Sequence, residues 1–314
     1  MPELSLLTVH AHPDDEASKG PATVARYHAE GVRTTLVTCT GGEAGDILNP
    51  AMDLPGVVDR LPELRREELA EAARVIGYDE VVWLGYRDSG MPGTPANEDP
   101  RCFARAPLEE AVGRLVEVLR RVRPQVVVAY GPDQRGYPHP DHLRVHDVAL
   151  QAFDAASDPG RYPGTGAEWA PSRLFYIGWS VGRSRAIHDK FLELGIESPF
   201  QGERLERLLQ APDRPADAPP LWSVDVSGFT AVRRLALLAH RTQVDPSSPA
   251  WFGLPPEIAD TLYPFDDYEL GVSRVGAEHD SERDGGVVDG AADDLFAGLR
   301  EAAGVGADAA GSGA

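Results

Sequence analysis

Two short clusters in this chain carry residue types that bind metals and move protons: His12-Pro-Asp-Asp-Glu16 and His139-Pro-Asp-His142. Two imidazoles and a carboxylate, with one coordination position left to water, form the ligand set of a catalytic zinc. A lone His-Pro-Asp is as often a turn whose Asp caps the following helix. The two clusters lie over a hundred residues apart. The metal reading therefore needs a fold that brings both to one place.

The elements around them supply such a fold. Residues 4–9 and 34–39 are compact apolar runs rich in strand formers, and residues 20–30 between them read as helix. Strand, helix, strand at this spacing is a βαβ unit, which implies a parallel sheet with a right-handed crossover. Pro62 opens a helix that runs to Ile76 with Gly77 as its C-cap, before a strand at 81–84. Pro107 opens another to Arg121, ahead of a strand at 125–129. Further strands are expected at 174–177 and 221–226, and helices at about 141–156, 184–194 and 231–240. The alternation predicts an α/β fold, a doubly wound, mostly parallel, Rossmann-like sheet with the C-terminal extension packed on the same domain. One domain is expected over 1–272, with a core at about 4–180 and a cap at about 181–272. In such sheets ligands bind at the carboxyl ends of the strands. The first four runs lead into the polar segments 10–16, 40–43, 85–90 and 131–142, so four strand ends meet at one rim. Both clusters belong to that rim, which favours metal binding over two unrelated turns.

The two motifs resemble those of the LmbE/PIG-L superfamily of zinc-dependent N-deacetylases acting on glucosamine-type sugars, and the resemblance spans about residues 4–272. Thr40-Gly-Gly-Glu-Ala-Gly-Asp-Ile-Leu-Asn-Pro-Ala-Met-Asp53, Asp88-Ser-Gly90 and Ala239-His-Arg-Thr-Gln-Val-Asp-Pro246 are similar to the mycothiol branch. Within it they are nearer the S-conjugate amidases than the precursor deacetylases. An actinobacterial host is implied. The resemblance implies one Zn2+ per chain on His12, Asp15 and His142, a set that Fe2+ also fits. It makes Asp14 the general base, and sets His139 at the leaving amine or oxyanion with Asp141 tuning it by a hydrogen bond. Tyr137 would donate to the oxyanion, where negative charge develops. Arg65 and Asp88 would hold the hydroxyl-rich inositol and glucosamine, joined at the substrate by Glu43 and His240. Glu16 and Glu43 otherwise read as loop anchors, and His240 as a helix cap. Lys19 matches the amidase branch, whose sibling carries an uncharged residue there.

The expected activity is hydrolysis of the amide joining a cysteinyl acyl group to glucosamine in mycothiol S-conjugates. Its products are glucosaminyl-inositol and an N-acetylcysteine S-conjugate, a detoxification step. Three rivals stand beside it: the N-acetylglucosaminyl-inositol deacetylase of mycothiol biosynthesis, a natural-product-cluster amidase for one thiol conjugate, and a metal- or sugar-binding module without turnover.

Composition narrows the classes further. The 314 residues carry a net charge of −20, which repels phosphate backbones and argues against nucleic acid and anionic membranes as partners. The expected partner is a small molecule, and a homo-oligomer is left open. Cys39 and Cys102 form no CxxC motif, and the N-terminus reads as neither signal peptide nor membrane span, so the cytoplasm is expected. No GxGxxG or Walker-type motif follows the first strand. His10, His146 and Cys39 read as structural. Residues 273–314 hold three Arg against nine acidic residues among many Gly and Ala. That tail is expected to be largely disordered, with a short helix at about 295–299.

Overall fold

In the computed structural model, β1 (Ser5–His10) is buried at every position. Alternation sends Leu7 and Val9 to one face and Leu6 to the other, so the strand needs cover on both sides. The model describes residues 3–134, 137–212, 221–276 and 294–300. After β1 come α1 (Asp15–Ser18), α2 (Pro21–Ala29), β2 (Arg33–Thr40), α3 (Leu61–Ile76), β3 (Glu80–Tyr86) and α4 (Pro95–Glu98). Next are α5 (Leu108–Val122), β4 (Val126–Ala129), α6 (Pro140–Ala155), β5 (Arg173–Ile177), α7 (Val181–Glu193) and α8 (Gly202–Gln210). The described chain continues with β6 (Leu221–Asp225), α9 (Ala231–Ala239), α10 (Pro249–Phe252), α11 (Pro256–Leu262) and β7 (Phe265–Ser273).

The strands form one seven-stranded sheet in the order β3-β2-β1-β4-β5-β7-β6. β1 to β5 are mutually parallel, and β7 alone runs against its neighbours β5 and β6. The doubly wound, mostly parallel α/β fold expected from the sequence is the one observed. α5 and α6 cover the face carrying Leu7, Val9 and Val127, while α2, α3 and α9 cover the face carrying Leu6, Val126 and Phe175. Gly77 ends α3 in the left-handed region at φ 97°, as a C-capping glycine does. Chain order reverses direction between β1 and β4, the switch point where such sheets bind ligands. Among the described residues no helix is long and apolar enough to cross a membrane.

β7, α8, α10 and α11 were not foreseen. β7 reads Phe-Asp-Asp-Tyr, and adjacent acids suggest a loop. Both are buried because both are paired: Asp266 accepts from the backbone and hydroxyl of Thr23 and from Arg233, and Asp267 from Ser223 and Tyr263. The helix expected at 295–299 is instead a series of turns, docked on the sheet. Leu295 and Phe296 are fully buried, Phe296 edge-on to Tyr27, and the buried Arg173 donates to the carbonyls of Leu295 and Ala297. The disorder expected for the rest of the tail concerns 277–293 and 301–314, outside the described residues. Phe296→Ala removes a wholly buried ring far from the rim. It is expected to cost about 3–5 kcal/mol of unfolding free energy in urea titration, and a loss below 1 kcal/mol would show that this segment is not part of the core.

Candidate metal centre

The site is built on the loops that leave β1 and β4, the central pair of the parallel strands. Tyr130, directly after β4, ties them together: its hydroxyl lies 3.2 Å from the Ala11 backbone N–H and 3.2 Å from His10 Nδ1. His10 is buried, and burial pushes its imidazole down to about 4, which suits a packed neutral ring. His146 likewise engages the Tyr130 carbonyl, at 3.0 Å. Neither enters the metal-type cluster.

His12, Asp15 and His142 do. Their ligand atoms all lie within 4.8 Å of one another, and all three residues are buried. His12 Nδ1 is 3.4 Å from Asp15 Oδ2, and His142 Nε2 is 3.4 Å from Asp15 Oδ1. His142 Nε2 has no hydrogen-bond partner. A buried nitrogen aimed at a carboxylate without bonding it is what a site for a cation leaves behind, and the His2Asp donor set fits a divalent metal. A second grouping, His12, Asp88, His139 and Asp141, is equally close, but its atoms are already spent. Asp88 accepts the N–H groups of Gly90 and Ala44. Asp141 accepts from the Ser89 backbone and hydroxyl, and His12 Nε2 lies 3.1 Å from its Oδ2. That last contact orients His12 so that Nδ1 faces the cluster, as carboxylates behind metal-binding histidines do.

The Asp141 contact departs from expectation. Its carboxylate reaches His12, not His139. His139 instead caps α6, its Nδ1 accepting the Asp141 backbone N–H at 3.2 Å. The ring proton then resides on Nε2, and burial, followed by the neighbouring His12, pushes the imidazole down to about 4. His139 is therefore a neutral donor near pH 7. The largely exposed Tyr137 stacks on it, with ring centroids 5.8 Å apart, and stands 5.4 Å from the His142 ring.

Asp14 precedes α1 with φ 106°, a conformation that costs an L-residue strain. Its backbone N–H donates to Glu16 at 2.9 Å, and Arg65 donates to its carboxylate at 2.9 Å and to the Pro13 carbonyl at 2.5 Å. Burial raises the Asp14 carboxyl above the usual range, with Arg65 opposing it. Arg65, expected at the substrate, is 3% exposed, and its remaining bond goes to the Gly42 carbonyl. Gly42 sits at φ 64°, and a Cβ there would collide with the guanidinium, so the Gly-Gly-Glu-Ala-Gly segment is glycine-rich to admit Arg65. His240, also expected at the substrate, is wholly buried with Nε2 2.5 Å from Glu16 Oε1. Asp88 stands 3.5 Å from His12 Nε2. Glu43 is half-buried at the rim, with Oε2 lacking a partner. Lys19 reaches Asp15 Oδ1 at 2.5 Å and lies over the Tyr130 ring.

Sequence reading passed over Tyr130, Ser89 and Glu68. Glu68 accepts the backbone and hydroxyl of Thr242 and so pins the His240 turn to α3. A signal existed for both Tyr130 and Ser89: Tyr130 directly follows the predicted strand at 125–129, and Ser89 lies in the polar segment 85–90 after the strand at 81–84. None existed for Glu68, one of several acids on α3.

Lys19, which bonds Asp15, and Tyr137, which stands beside His139 and His142, also line a cleft of about 860 Å³ that passes Tyr130, Tyr176 and Trp179 towards β7.

A family model described as PIG-L, GlcNAc-PI de-N-acetylase, matches residues 7–153. A mycothiol S-conjugate amidase of Streptomyces coelicolor is 39% identical over 95% of this chain and 98% of its own length. A 1D-myo-inositol 2-acetamido-2-deoxy-alpha-D-glucopyranoside deacetylase of Geodermatophilus obscurus is 41% identical over 95% and 99%. Among solved structures, the N,N'-diacetylchitobiose deacetylase of Pyrococcus horikoshii matches in fold with a TM-score of 0.54, at 18% identity over 85% of this chain and 83% of that one. Identity at this level along nearly the whole chain, together with a His2Asp cluster at the switch point of the sheet, makes this protein a member of the PIG-L family.

Proposed function

We propose that the protein is a zinc-dependent amide hydrolase that cleaves mycothiol S-conjugates into glucosaminyl-inositol and an N-acetylcysteine S-conjugate. The observation that carries the hydrolase reading is the His12–Asp15–His142 set, with its unpartnered His142 nitrogen, beside a carboxyl group of raised pKa on Asp14. A zinc ion held there supplies Lewis acidity and lowers the pKa of bound water to about 7. Asp14 takes the proton of the attacking water, held in place by Arg65. His139, neutral with its proton on Nε2, donates to the carbonyl oxygen as charge develops, and the exposed Tyr137 hydroxyl completes the pair of donors. The proton on Asp14 then passes to the departing amine. Asp141 acts one step back, by fixing the His12 ring.

The choice of acyl group rests on the cleft. An acetyl group fills a small fraction of about 860 Å³, whereas a substituted cysteinyl group makes use of such a volume, and Lys19 joins its lining to Asp15 of the cluster. The acetylglucosaminyl-inositol deacetylase remains the rival, since a relative of that name is 41% identical.

Asp14→Asn is expected to lower kcat by about 10²–10⁴-fold while elemental analysis finds the metal content unchanged, and an unaltered kcat would remove Asp14 from the proton transfer. His142→Ala should yield protein with little metal and no turnover. Arg65→Met should reduce kcat well before KM, because it frees Asp14 without touching the cleft; a change confined to KM would assign Arg65 to the substrate. Side by side, the bimane conjugate of mycothiol should be hydrolysed faster than N-acetylglucosaminyl-inositol. Rapid deacetylation with the conjugate left intact would give the function to the rival.

A further inference from the structure

Beyond the cleft, α7, α9, α10 and α11 enclose a second compartment of about 200 Å³. Its walls are mainly apolar: Ile187 and Phe191 lie one turn apart on α7, facing Leu237 of α9, Phe252 and Phe265. A cavity of about 150 Å³ lined by aliphatic and aromatic side chains takes up benzene. This one therefore has room for a substituted ring. It adjoins the cleft, since Trp179, Arg183, Arg233, Trp251 and Asp266 line both.

Charge at the junction is unbalanced. Arg183 and Arg233 share Asp266 Oδ1, at 3.8 and 2.5 Å, while Asp266 Oδ2 already accepts two bonds from Thr23. Arg234 lines the compartment with no hydrogen-bond or ion-pair partner among the described residues, and the Nε atoms of all three arginines are buried without an acceptor. Three guanidinium groups thus face two carboxylates, Asp266 and Asp260. Buried donors lacking acceptors are costly, and a ligand that brings an acceptor recovers the loss. Every wall residue except Ala22 also lies beyond residue 153, where the family model ends. The compartment thus lies almost wholly outside the segment that the family model matches.

Building on the amide-hydrolase reading, we propose that this compartment receives the end of the acyl group: a planar apolar substituent on the cysteinyl sulfur that carries a hydrogen-bond acceptor, a carbonyl or carboxylate. The amide lies at the metal cluster, the cysteinyl portion runs along the cleft, and the ring enters between α7 and α9 with its acceptor towards Arg234.

The test compares three glucosaminyl-inositol amides: the acetamide, the N-acetyl-S-benzylcysteinyl amide and the N-acetyl-S-(4-carboxybenzyl)cysteinyl amide. Ile187→Trp, a half-buried position, should lower the ratio of kcat/KM for the S-benzyl amide over the acetamide at least tenfold. Arg234→Gln should lower the ratio for the carboxybenzyl over the benzyl amide about fivefold or more. Unchanged ratios in both variants overturn the proposal. Titration calorimetry with free N-acetyl-S-(4-carboxybenzyl)cysteine reads the compartment without turnover. Binding to the wild type that weakens at least tenfold in Ile187→Trp supports it, and absence of binding overturns it. If wild-type protein binds this acid yet hydrolyses none of the amides, the hydrolase reading fails and the compartment stands.

Discussion

The site depends on a strained backbone at one residue and on the buried charges that hold it. Asp14 adopts φ 106° between two positions of the cluster, His12 and Asp15. Strain of this kind costs on the order of 1–3 kcal/mol and persists only where the surroundings over-determine it. Here Arg65 grips the loop from beneath through Pro13 and Asp14, and Glu16 takes the Asp14 N–H. Glu16 is itself held by His240, whose turn is pinned to α3 by Glu68. Arg65 and Glu68 come from one helix, so α3 sets the loop from two directions. Turning Asp14 out of the helical path lets adjacent residues do different work, Asp15 in the cluster and Asp14 at the proton.

Burying so many ionisable groups at one rim would destabilise the fold if each were alone. The network closes because every carboxylate below the cluster has a donor: Asp141 from Ser89 and His12, Asp88 from Gly90 and Ala44, Glu16 from Asp14 and His240. Among the described residues His10 Nε2, Arg65 Nε, His240 Nδ1 and His142 Nε2 are left over, and of these only His142 belongs to the metal-type cluster. The closed part is scaffold, and the open valence marks where an ion would complete the set.

Much of this was legible from local pattern. Apolar runs ending in polar segments identified the strands and their shared rim, the two His-Pro-Asp clusters marked it as a metal-type site, and the family resemblance supplied the three ligands. What stayed hidden has one physical cause, namely that a buried polar residue is intelligible only with its partner. The Asp266-Asp267 pair reads as loop until Thr23 and Arg233 stand opposite it. Arg65 was placed at the substrate by the family resemblance, and nothing local says that Gly42 leaves space for it. The resemblance paired Asp141 with its sequence neighbour His139, yet its carboxylate is taken by partners distant in sequence, His12 and Ser89.

The order of assembly follows from where the last described segment docks. Tyr27 of α2 bonds Asp294 and the backbone of Leu295 and packs on Phe296. α2 starts shortly after the His12–Asp15 loop, so the element that steadies the first half of the site is itself finished by residues some 270 positions later. Contacts of such sequence separation form late, after loop closure has been overcome. Until residues 294–296 dock, Tyr27 lacks the partners that cover it, so the last described segment of the chain completes an element that adjoins the first part of the site.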